Sequence, residues 1–130
     1  MLKFFKVIAA VVFAVSAFAI APAHADGSVS HGTFDGRSDH VTTGGVEIVK
    51  DGHGGYKVIL AKDFSLDGAP DPKLAFGHNG VDKSTIFAPL KSKTGHQEYE
   101  LPASIDPTKY NEIYVWCEKF SVPLGVASLK

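Results

Sequence analysis

Few side chains in this sequence carry reactive chemistry. One cysteine, Cys117, stands in the run IYVWCEKF from residue 113 to 120. A thiolate is a nucleophile, a metal ligand and an oxidisable group. Strand alternation puts Cys117 on the same face as Ile113 and Val115, with Tyr114 and Trp116 on the other. Lys119 follows at the next alternate position, where an ammonium group would favour the thiolate. The opposing reading is that Cys117 is a small core residue, because free cysteine is among the most buried residue types.

Imidazole combined with thiolate is a ligand set for copper, haem iron or zinc. Beyond residue 25 the histidines are His31, His40, His53, His78 and His96. None lies two residues from another or from Cys117, so only the fold could assemble a site. Cys117, His40 and His96 are the candidate ligands, and surface or loop positions are the plainer reading of the histidines. Other chemistry is excluded more directly. No G-x-S-x-G marks a serine hydrolase, and no C-x-x-C-H marks covalent haem attachment. In GHNGVDKS, Asp82 stands where a phosphate loop needs glycine before Lys83. Asp63, Asp67 and Asp71 miss the calcium-loop spacing and read as turn and capping residues. No catalytic constellation emerges, and the chain does not read as an enzyme.

The elements that must hold these residues read as short strands. Val46 and Ile48 alternate with Glu47, and Tyr56, Val58 and Leu60 alternate with Lys57. The glycine-rich DGHGG between them predicts a hairpin of residues 46–50 with 56–60. Pro70 and Pro72 place DGAPDP in a turn, and KLAFG follows as a strand. HQEYELP sets Gln97, Tyr99 and Leu101 against Glu98 and Glu100. EIYVWCEKFSV is apolar on both faces and predicts a central strand covered on both sides. Trp116, Phe120 and Leu101 are expected in the core. Seven to eight short strands with no convincing helical period predict an all-β fold, an antiparallel β-sandwich or a small β-barrel.

The first 25 residues read as a secretory leader. Lys3 and Lys6 precede an apolar run of 15 residues, Val7 to Ala21, and Ala23 and Ala25 fit the cleavage rule. That run is short for a membrane span, which needs roughly 20 residues. Cleavage after Ala25 predicts a mature chain of one domain, residues 26–130, starting at Asp26. Its 11 basic and 14 acidic residues give a net charge of −3. That gives no electrostatic case for nucleic acid or an anionic membrane. The expected location is the periplasm or the extracellular space. One cysteine forms no intramolecular disulfide, so packing alone holds the fold.

Four segments in order resemble the DM13 domain family. YNEIYVWCEKFSVPLGVASL is similar to its closing signature through Trp116, Cys117, Phe120, Val122, Gly125, Ala127 and Leu129. GTFDGRSDHVTTGGVEIV resembles its opening through His40 and Gly44. KDFSLDGAPDPKLAF is similar through Asp63, Phe64, Pro70, Asp71 and Leu74, and GHQEYELPASID through Gly95, Gln97, Tyr99, Leu101 and Pro102. The resemblance runs from Gly32 to Leu129. It implies a β-sandwich in an extracellular protein, of a kind often found beside haem-binding DOMON domains. It also implies an electron-transfer role centred on Cys117, as a bare thiol or through haem or a metal such as copper, with an unidentified redox partner. Lys119, Trp116 and His40 are the supporting candidates. Two readings from other classes stand beside it. One is a non-catalytic module binding a protein or glycan, with Cys117 as core. The other is copper handling by Cys117 with histidines.

Overall fold

The computed structural model describes residues 27–130. The leader and the expected N-terminus at Asp26 lie outside the described residues. The described chain is all-β. Its strands are β1 (Ser28–Gly36), β2 (Thr42–Thr43), β3 (Gly45–Lys50), β4 (Tyr56–Leu60) and β5 (Ser65–Leu66). β6 (Pro72–Gly77), β7 (Ala88–Pro89), β8 (Gln97–Glu100), β9 (Glu112–Cys117) and β10 (Val122–Ser128) follow. Eight of them form one antiparallel sheet in the order β7-β6-β9-β10-β1-β3-β4-β8, nearly closed into a barrel. This lies between the sandwich and the small barrel expected from the sequence. β2 and β5 pair as a separate short ladder.

The glycine-tipped hairpin forms as its alternation predicts. Val46 faces Leu60, Ile48 faces Val58 and Lys50 faces Tyr56 across β3 and β4. Val46, Ile48, Val58 and Leu60 turn into the main core, each at most 3% exposed. Burying side chains of this size contributes roughly 1.5–3 kcal/mol each. Asp51 shapes the tip, its Oδ1 accepting from the His53 and Gly55 amides at 2.7 and 3.0 Å.

β1 joins the two halves of the sheet. Its first part pairs with β3, and Phe34 to Gly36 pair with β10. At that crossing Gly125 has no room for a side chain. A Cβ there would stand 2.7 Å from the Cβ of Thr42, whose hydroxyl donates to the Leu124 carbonyl at 2.8 Å.

Side chains, not a backbone ladder, close the seam between β7 and β8. Gln97 Nε2 donates to the Ser92 carbonyl at 2.8 Å, and the Ser92 amide returns a bond to Gln97 Oε1 at 3.1 Å. The Lys91 amide donates to the Tyr99 hydroxyl at 2.8 Å. Closing the sheet in this way protects edges that would otherwise offer unpaired backbone groups.

β9 lies between β6 and β10 and is covered on both faces, as expected. Ile113, Val115 and Cys117 join the main core, while Tyr114 packs with Ala75 and Val126 on the outer face. The expected single strand through Val122 does not form. β9 ends at Cys117, residues 118–121 turn, and β10 pairs back so that Val122 faces Cys117. Ser121 completes the turn with φ of 51°. Phe120 consequently projects from the hairpin tip at 61% exposure, which corrects its expected place in the core. Trp116 is buried as expected, and Leu101 is partly buried against the core.

Candidate functional site

Antiparallel pairing brings the candidate residues to one end of the barrel. β9 ends at Cys117, where β6 and β10 begin: Cys117 pairs with Pro72 on one side and Val122 on the other. β1 and β4 end there as well, and β3 and β8 start there. That end therefore holds residues 37–44, 61–71, 90–96 and 118–121, and with them His40, His96 and Lys119. The short ladder of Thr42–Thr43 with Ser65–Leu66 lies across it. The Leu66 amide donates to the Lys93 carbonyl at 2.7 Å, and the Asp67 amide to the Val41 carbonyl at 3.1 Å. These bonds stitch the loops over the core.

Cys117 is the last residue of its strand and only 1% exposed. Its parity with Ile113 and Val115 directs it into the apolar cluster that includes Leu66 and Leu124. Trp116 is buried on the opposite face, where Lys83 Nζ lies 5.8 Å from its ring centroid. Lys119 does not share the strand face of Cys117, because the strand has ended two residues earlier. Its ammonium lies 5.6 Å from the Phe120 ring instead. The turn thus separates the expected thiolate-stabilising charge from the thiol's own strand.

His40 is held by a residue that the sequence offered only as a turn aspartate. Asp67 Oδ1 lies 2.9 Å from His40 Nδ1, and Asp67 Oδ2 accepts from the Val41 amide at 3.0 Å. The Val41 amide first, and then His40, hold the Asp67 carboxyl below its ordinary range. A carboxylate on Nδ1 fixes an imidazole's orientation and directs Nε2 outward, an arrangement familiar around metals. Among the described residues, however, no three His, Cys, Asp or Glu side chains converge as a metal site would need. His96 pairs loosely with Glu98 at 3.7 Å. Cys117, His40 and His96 share an end of the barrel without forming a ligand set, so the residues do not fit a haem or copper centre built from these three.

Of the other aspartates, Asp63 Oδ1 accepts from the Gly45 amide at 3.0 Å, in keeping with a turn role. Gln97 and Tyr99 carry the family resemblance in sequence, and the structure gives them a structural role in the same region, closing the seam. Their signal was available as inward parity in HQEYELP, where a glutamine shares the face of an aromatic residue.

Comparison with curated proteins and with solved structures gives no match. The family model described as "Electron transfer DM13" matches residues 33–129. That span contains the central strand, its closing hairpin, the His40 loop and the Gln97–Tyr99 seam, and the chain belongs to the DM13 family.

Proposed function

We propose that this protein is an exported DM13 electron-transfer domain whose redox residue is Cys117. The observation that supports this reading is the placement of the only thiol. It is the terminal residue of the central strand, beneath stitched loops at one end of the barrel. A strand holds a side chain more precisely than a loop does. Burial there shields the sulfur from bulk oxidants, and local opening of the 118–121 turn would expose it without unfolding the barrel.

With one cysteine the chain has no resolving thiol of its own. The exchange consistent with this is attack of the Cys117 thiolate on the disulfide of a small thiol or a partner protein. An S–S bond forms to Cys117, the partner's S–S bond breaks, and the leaving thiolate takes up a proton. A second external thiol then releases Cys117 by the reverse exchange.

The test exposes the native protein to glutathione disulfide and follows the adduct by intact mass. An adduct on the wild type but not on Cys117→Ala is expected. Its rate should be insensitive to low denaturant, as for local opening. Reaction that tracks global unfolding would reject the reading.

A second reading is favoured by the 1% exposure of Cys117: a binding module with the cysteine as core. The opposite end of the barrel carries an open hollow of about 500 Å³. Asp51, His53, Tyr56, Leu101, Ile105 and Asp106 contribute to its lining. Mixed polar and apolar lining of that size suits a small ligand or one residue of a larger partner. Saccharide and peptide titrations monitored at Tyr56 distinguish this reading from the first.

A further inference from the structure

The loop after β6 carries an asparagine–glycine pair, Asn79–Gly80, that plays no part in the redox or binding readings. Both residues are exposed. Asn79 has φ of 55° and Gly80 φ of 140°, and the loop is closed by the bridge of Gly77 to Val81. Glycine after asparagine leaves the main-chain nitrogen sterically open to attack the side-chain carboxamide. A Cβ at Gly80 would meet nothing within 4 Å, so the loop is open on the side-chain face of the glycine. One restraint does act on it. The Gly80 amide donates to Glu112 Oε1 at 3.0 Å, and the Tyr114 hydroxyl donates to the same oxygen at 3.1 Å.

We propose that Asn79 is a site of spontaneous modification, converted to aspartate and isoaspartate, and that Glu112 controls its rate. In the first step Gly80 N loses its proton to solvent base and bonds to Asn79 Cγ. The Cγ–Nδ2 bond breaks, and ammonia leaves with a proton from water. In the second step water opens the resulting succinimide at either carbonyl. No oxidant or further co-reactant is required. Glu112 slows the first step in two ways. Its hydrogen bond must break before the Gly80 nitrogen can give up its proton and attack, and its negative charge opposes formation of the amide anion. A carboxylate is far too weak a base to remove the amide proton itself.

The consequence is local and directional. Isoaspartate adds a methylene to the main chain of a tight loop, and either product adds a negative charge facing Glu112. The bond from the His78 amide to the Gly80 carbonyl, now 3.0 Å, and the Gly77–Val81 bridge should both be lost. This loop adjoins Val81 and Ile86, which cover Tyr114 on the outer face of the central strand.

The full chain is incubated at mildly alkaline pH, and peptide mapping follows the products at Asn79. Glu112→Ala should speed conversion by about tenfold, the factor that one charge-assisted hydrogen bond supplies to a rate. Tyr114→Phe removes the other partner of the same oxygen and should leave the rate near wild type, which separates loss of the Gly80 restraint from general loosening. Denatured wild type gives the unrestrained rate, and Glu112→Ala should fall between it and the native protein. A native protein converting as fast as the denatured chain would overturn the role of Glu112, as would equal rates for wild type and Glu112→Ala. No product at Asn79 in any of the samples would overturn the site.

Discussion

The Tyr99 hydroxyl donates to Gln97 Oε1 at 2.6 Å, from two residues along the same strand face. The pair is nearly inaccessible, at 3% and 6% exposure, and bridges the seam where the barrel lacks a backbone ladder. Gln97→Ala takes away the acceptor of the buried Tyr99 hydroxyl and leaves the backbone of exposed Ser92 to solvent. Buried groups without partners cost about 1–3 kcal/mol. Chemical denaturation should show a loss of that size, and amide exchange should rise at Lys91 and Ser92 while the β3–β4 hairpin stays protected. Uniform loss of protection would show that the seam is not a separate unit.

Trp116 is 6% exposed on a strand whose other face is the main core. Trp116→Ala should cost about 3–5 kcal/mol, the usual range for truncating a large buried aromatic. A loss under about 1 kcal/mol would place the indole at the surface.

Phe120 makes the opposite prediction. At the exposed tip of the β9–β10 hairpin it has little burial to lose, so Phe120→Ser should change stability by less than about 0.5 kcal/mol. A large loss would mean that the tip folds back onto the barrel.

Replacements of Cys117 should rank by polarity. Serine at this buried position adds a hydroxyl among apolar groups, a cost of about 1–3 kcal/mol when no partner is found. Alanine leaves a small void without a polar penalty. Thermal unfolding should therefore show Cys117→Ala at least as stable as Cys117→Ser, which makes alanine the cleaner control for redox tests. The reverse order would mean that the position has a hydrogen-bonding partner in reach.

Asp67 supplies the pH test. A carboxyl held low in the fold contributes stability above its unfolded value, and that contribution is lost as pH falls through the folded value. The Val41 amide shift should therefore titrate with a midpoint below 3.8, the ordinary aspartate value. Because the pair is exposed, global stability should move little. A midpoint at or above 3.8 would show that the Val41 and His40 bonds do not persist in solution.

Some of this protein was written in local sequence. Alternation in GVEIVK and GYKVIL, with glycines between, is enough to specify β3, β4 and their pairing. A one-residue slip would turn Val46, Ile48, Val58 and Leu60 to the other face. Parity likewise set the inward side of β9 and of Gln97 and Tyr99. A single cysteine excluded an intramolecular disulfide before any fold was known.

Tertiary structure decided the rest. EKFS contains no glycine, proline or asparagine, so nothing local announced a turn at residues 118–121. The break exists because β10 pairs back on β9, and that pairing puts Phe120 in solvent and takes Lys119 off the strand of Cys117. The tie of His40 to Asp67 spans 27 residues and depends on the paths of two loops, information that spacing along the chain does not carry. The gathering of Cys117, His40 and His96 at one end follows from strand direction, and their failure to form a ligand set follows from where each side chain is held. Closure of the barrel through Gln97 and Tyr99 required β7 and β8 to arrive side by side, which only the complete sheet enforces.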